Sequence, residues 1–154
     1  MIITERNRSG ILCYLQHPQP KTCPKEEVEQ AHLMQLIKAH TPWTAPLVWH
    51  TVNEGMAKPQ YRHAMAVAGM VSGVADVISI YSGPKHLSCA IELKRASRKL
   101  SSSIREDQKK FLLAHDANEG FAVVAYGAYA GWHAWLDYLG IYDLAMRSKA
   151  DHLI

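Results

Sequence analysis

The sequence predicts a mixed α/β domain, a small sheet flanked by helices in the order α-β-α-β-β-α-β-α, on three observations. Short apolar runs of strand type alternate with stretches whose apolar residues recur at helical spacing. With 48% hydrophobic residues among 154, the chain can bury one real core without disulfide or metal staples. No internal repeat, low-complexity stretch or interdomain linker divides it, so residues 23–154 read as one domain behind an N-terminal arm at 1–22.

The elements follow in order. Residues 1–22 lack clear periodicity and include Pro18 and Pro20, as a lead-in arm or a short extra strand would. A first helix starts near Pro24, with Thr22 or Cys23 before it and Glu26 and Glu27 at the positive end of its dipole, and runs to about His40. Glu29, Leu33, Leu36 and Ile37 fall at i, i+4, i+7 and i+8, so a carboxylate heads the stripe that otherwise faces the core. Residues 43–46 make a turn, and 47–52 a strand leading into the Asn53-Glu54-Gly55 loop. A second helix follows Pro59, carries Tyr61, Ala64, Met65 and Ala68 inward, and stops before Ser72-Gly73. Residues 74–81 and 87–94 form a hairpin across Ser82-Gly83-Pro84-Lys85. Ser101, Ser102 and Ser103 offer caps for a third helix, on which Ile104, Gln108, Phe111 and His115 share a face. Residues 121–126 form a buried strand, and Trp132, Trp135, Leu136 and Leu139 mark a last helix.

The hairpin carries the chemistry. Asp76 stands at the start of its first apolar run, and Ile91-Glu92-Leu93-Lys94 closes the second. Side chains alternate along a strand, so Glu92 and Lys94 share one face while Ile91 and Leu93 point to the other. Two carboxylates and an ammonium then line one site beside a dry core, a set suited to metal-assisted hydrolysis of a phosphodiester. Asp76 and Glu92 offer hard oxygen ligands to Mg2+ or Mn2+, with solvent completing the shell. Glu29 either adds a ligand, directly or through water, or sits at the edge of its stripe and reaches solvent. Lys94 could stabilise the attacking hydroxide or the phosphorane-like charge, and Gln108 could orient water or the scissile phosphate.

A formal charge of +3 says little, but its distribution says more. Lys94, Arg95, Arg98, Lys99, Arg105, Lys109 and Lys110 face only Glu106 and Asp107 within the same stretch. That run is either a solvated helix face or a phosphate-contacting surface. Beside the acidic site it favours DNA bound through its backbone, weakly sequence-dependent and weakened by salt, with Arg95, Arg98, Lys99, Arg105 and Lys109 as the contacts.

Glu29-Gln30, Asn53 and Gly55, Gly73-Val74-x-Asp76, Glu92-x-Lys94 and Gln108 occur in one order. In that order the chain resembles, over roughly residues 26–139, the VRR-NUC family of the PD-(D/E)XK nuclease superfamily, in its stand-alone phage or bacterial type. The resemblance implies a restriction-endonuclease-like core, with Glu29, Asp76 and Glu92 as metal ligands or near-ligands and the Leu93 backbone carbonyl as another. It implies Lys94 as the catalytic lysine, Gln108 as a supporting amide and Asn53 in the surrounding shell. The activity implied is Mg2+- or Mn2+-dependent DNA endonuclease, structure-selective on branched or junction DNA rather than sequence-specific, acting as a homodimer. The alternative is a non-catalytic DNA-binding module of the same fold; a third, hydrolysis of a small phosphodiester, requires that DNA be ignored. The chain departs from the family pattern in Glu54 before Gly55, in Ala75 where Pro commonly precedes the Asp, and in a longer Ser-rich stretch before Gln108. Trp132, Trp135, Tyr138 and Tyr142 on the last helix either bury a dimer contact or pack the core.

Other chemistries fit poorly. Cys13, Cys23 and Cys89 are odd in number and scattered, against a disulfide framework and in keeping with a reducing cytoplasm, bacterial or of a phage-infected cell. Cys13, His17 and Cys23 have irregular spacing for zinc and no evident fourth ligand. His50 sits on the strand before Asn53, near the metal or on a phosphate, though oxygen ligands suit such a site better. No signal peptide, membrane span, serine-hydrolase arrangement or glycine-rich phosphate loop stands out.

Overall fold

Six strands form a single mixed sheet in this computed structural model, which describes residues 1–52 and 58–154. They are β1 (Ile2–Arg6), β2 (Leu12–Gln16), β3 (Val48–His50), β4 (Val77–Ser79), β5 (Cys89–Lys94) and β6 (Phe121–Tyr126), in the spatial order β1-β2-β6-β5-β4-β3. The helices are α1 (Glu26–His40), α2 (Pro59–Val67), α3 (Glu106–Ala117), α4 (Ala128–Leu139) and α5 (Leu144–Arg147). β6 runs parallel to both β5 and β2, and the remaining pairs are antiparallel. A parallel neighbour needs a long crossover, which α3 supplies between β5 and β6.

The two-residue strand period sorts the core into two layers. Cys89, Ile91 and Leu93 of β5 join Val123 and Ala125 of β6 under Leu33, Leu36 and Ile37 of α1 and Trp132, Trp135 and Leu136 of α4. Ala90, Ala122 and Val124 point to the opposite face, where Leu112 of α3 covers them with Cys13 and Leu15 of β2. All six residues of β5 are buried, Glu92 and Lys94 included, because this strand is central and covered on both faces.

From α1 to α4 the element order matches expectation, with differences that have physical causes, and the short α5 beyond them was not foreseen. The segment 1–22 forms two strands rather than an arm, and β2 pairs with the central strand β6. α1 starts at Glu26 after Lys25, whose side chain makes no capping bond, so neither Thr22 nor Cys23 is the cap. The strand foreseen over 47–52 is shorter, and the Asn53-Glu54-Gly55 loop lies outside the described residues. α2 buries none of its residues: Tyr61, Ala64 and Ala68 are exposed and Met65 only half-buried. α3 starts at Glu106 rather than at the serines, because Gln108 turns back to cap it. The aromatics of α4 are core, with Trp132 and Trp135 fully enclosed, so they offer no dimer face; only Tyr142, past the helix end, is exposed.

Candidate functional site

Glu92 and Lys94 project from the end of β5 toward α3, on the face opposite Ile91 and Leu93. β4 pairs with β5 only as far as Val77 opposite Ile91, so the ladder has ended where Leu93 would seek its next partner. The Asp76 side chain replaces it, its Oδ2 accepting from the Leu93 N–H at 2.8 Å. Thr51, just past β3, fixes the Asp76 backbone by donating its N–H to the Asp76 carbonyl at 2.8 Å and its hydroxyl to the Ala75 carbonyl at 2.7 Å. The strand ends thus deliver Asp76, Glu92 and Lys94 to one place, a cavity of about 430 Å3 that Gln108, Arg105 and Ser102 also line.

The contacts hold these groups tightly. Glu92 is 2% exposed; its Oε1 accepts from Gln108 Nε2 at 2.6 Å and lies 3.7 Å from Lys94 Nζ. Lys94, equally buried, donates to Ser102 Oγ at 3.3 Å. Gln108 is used at both ends, since its Oε1 also accepts from the Arg105 N–H at 2.9 Å in a capping box. It thus ties the Glu92 carboxylate to the start of α3. Burial, and next the Asp76 carboxylate beside it, push Glu92 up to about 8. Asp76 is raised as well, by burial, against the pull of the Leu93 N–H and the Lys94 ammonium. Two carboxylates held together against their preference to ionise mark a site short of positive charge.

Glu29 stands elsewhere. Its Oε2 accepts from the Ala128 N–H at 2.5 Å, so this carboxylate caps α4 at the positive end of that helix. Gly127 makes room for it, with φ +92° and no space for a Cβ, which would lie 2.8 Å from Ala96 Cβ and 3.4 Å from Glu29 Oε2. The acid of α1 that lines the cavity is Glu26, one turn earlier, raised by burial, with the Lys94 ammonium drawing it down and the Asp76 carboxylate pushing it up. Its only sequence signal was a place in the first helical turn. Thr51 and Ser102 carried none.

The basic residues divide likewise. Arg105 lines the cavity and pairs with Asp107 at 3.1 Å. Arg95 spends its guanidinium on the carbonyls of Cys23, Pro24 and Leu100, tying the lead into α1 to the loop after β5. Arg98 pairs with Glu5 at 2.8 Å and lies over the Tyr126 ring. Lys109 pairs with Glu106 at 2.9 Å, and Lys99 is exposed. His50 lines the cavity, its Nδ1 facing the Thr51 carbonyl at 2.9 Å. Asn53 lies outside the described residues.

Among the described residues no three His, Cys, Asp or Glu side chains form a metal-holding group. The Asp76–Glu92 pair nonetheless fits a divalent ion, since magnesium commonly takes one or two protein carboxylates and keeps several waters. No described residue donates to Asp76 Oδ1 or Glu92 Oε2, which leaves hard oxygens for such an ion. Among the described residues no helix is long and apolar enough to cross a membrane.

A mixed six-stranded sheet between helices, with its acidic pair at the ends of two adjacent strands, defines a restriction-endonuclease-like fold. A solved structure described as a VRR_NUC domain protein has this fold, with a TM-score of 0.60 and 17% identity over 79% of this chain and 93% of that one. The likeness is one of fold. No family model and no curated protein matches the sequence.

Proposed function

We propose that this protein is a Mg2+- or Mn2+-dependent DNA endonuclease, hydrolysing phosphodiester bonds in branched or junction DNA. The observation that supports it most is the convergence of Asp76, Glu92 and Lys94 in one cavity at the end of β5. Asp76 and Glu92 would hold the ion, with the Leu93 carbonyl as a further ligand. When bound, it supplies Lewis acidity toward a phosphoryl oxygen and acidifies water. Lys94, fixed between Glu92 and Ser102, neutralises charge gathering on the phosphoryl group. Glu26, at the cavity wall where the sequence pointed to Glu29, would add a ligand to the ion, directly or through water. Arg105, with Lys99 and Lys109 beyond it, contacts backbone phosphates. A homodimer belongs to this reading, supported by α2, which buries none of its residues.

The test is incubation of the purified protein with linear duplex, flap, splayed-arm and four-way-junction DNA, in Mg2+, Mn2+ or chelator. Cleavage is expected only with the ion. Asp76→Ala and Lys94→Ala are expected to slow it by at least about 100-fold with the circular dichroism spectrum unchanged. No product with either ion, alongside salt-sensitive binding, would overturn the enzyme in favour of a DNA-binding module.

A further inference from the structure

Part of the cavity wall has no work to do on a phosphate. Beside the carboxylates and Lys94 the lining includes Trp49, Met70 and Val71, which are 41%, 38% and 63% exposed. β3 alternates, so Val48 packs into the core under α1 and α4 while Trp49 turns to the other face, the one that bears Glu92 and Lys94. The register places Trp49 opposite Ile78 and Ile78 opposite Ala90, two residues before Glu92. Strand spacing and rise put Trp49 about 10 Å across the sheet and about 7 Å along it from Glu92. That is roughly 12 Å, a few nucleotides of stacked DNA at about 3.4 Å each.

We propose that Trp49 is a stacking platform for an unpaired nucleobase near the scissile phosphate, so that the substrate class is DNA with an unstacked nucleotide at the cut. The inference rests on the nuclease reading and narrows its substrate. Lys94 and Arg105 line the cavity beside the Glu26, Asp76 and Glu92 carboxylates, so an anionic occupant enters with the divalent ion of the nuclease reading, and the half-exposed indole adds an apolar surface, a combination that suits a nucleotide and not an apolar peptide. Bases inside an intact duplex keep their faces stacked on one another. Only an unpaired nucleotide offers a face to an indole.

The full-length protein is titrated, in chelator, against splayed-arm DNA and a fully paired duplex of equal length, by fluorescence anisotropy. Trp49→Ala is expected to lose about 5- to 100-fold in affinity for the splayed arm while duplex affinity holds. Trp49→Phe is expected to keep most of the affinity, and abasic sites in the arm are expected to bring the native protein down to the Trp49→Ala level. Equal loss on both DNAs, no loss on either, or conversion of a dimer to a monomer by Trp49→Ala would overturn the proposal. The two readings separate cleanly. Stacking without any Mg2+- or Mn2+-dependent product ends the nuclease and spares the platform. Cleavage that Trp49→Ala leaves unchanged on every substrate ends the platform and spares the nuclease, and failure to bind any DNA ends both.

Discussion

One helical turn separates Glu26 from Glu29, and the two carboxylates end in different surroundings. Glu29→Ala removes the cap of α4 and is expected to cost about 1–2 kcal/mol, read as a lower Tm, without changing cleavage per folded molecule. Glu26→Ala should do the reverse, leaving Tm in place and lowering the rate of metal-dependent cleavage. Equal effects of the two substitutions on rate would return Glu29 to the reaction. A strand's period of two fixed the face of Glu92 and Lys94, which is why those residues were legible before any coordinates. A helical stripe tells which residues face the sheet but not how far along it each one ends, so the stripe singled out Glu29 while Glu26 reaches the cavity. Away from the site, burial and then the nearby Glu5 carboxylate push the Cys13 thiol from 9.0 up to about 11. The folded state therefore keeps a proton that the unfolded chain has lost. The Cys13 contribution to stability is constant below pH 9 and is lost between pH 9 and about 11, so across that range stability should fall less steeply in Cys13→Ala, as urea midpoints would show.

At the scale of elements, the approach of the Gly73–Asp76 segment to α3 sets the geometry of the site. Gly73 has φ +76°, and a Cβ there would lie 2.3 Å from the Asp107 carbonyl carbon and 2.7 Å from the Gln108 nitrogen, all backbone. Gly73→Ala must shift the start of α3 and, with it, the Gln108 amide that holds Glu92. The expected result is a loss of more than about 1 kcal/mol in stability together with a fall in cleavage. Cleavage at the native rate per folded molecule would show that the segment moves independently of the site. Capping explains the misplaced helix start: three serines advertise a cap, yet Ser101 bonds the Arg95 and Ser97 carbonyls and Ser102 meets Lys94, so Gln108 does the capping. For α2, apolar spacing correctly signalled a helix but not burial, because nothing in one sequence says whether an apolar stripe meets its own core or remains exposed.

For the whole molecule, the least legible feature is the N-terminal hairpin. Its second strand, LCYLQ, is only five residues long, too short for periodicity to separate it from a loop, and its parallel partner lies more than a hundred residues away. From α1 to α4 the order of elements was readable, because each run there is bounded by turn signals or caps. Deleting residues 1–16 strips β6 of a neighbour and removes Cys13 and Leu15 from the cluster they share with Leu112, Ala122 and Val124. Such a variant is expected to elute as aggregates or strand-exchanged oligomers in size-exclusion chromatography, whereas a soluble monomer with native Tm would show that the hairpin is dispensable. The pairing also has a consequence for biosynthesis. β2 is made more than a hundred residues before the strand it must lie beside, so the nascent chain carries an unsatisfied ribbon until β6 follows. The middle of this sheet closes only once β6 is made, and slowing elongation between those two strands should lengthen the time in which chaperones and proteases find the chain open.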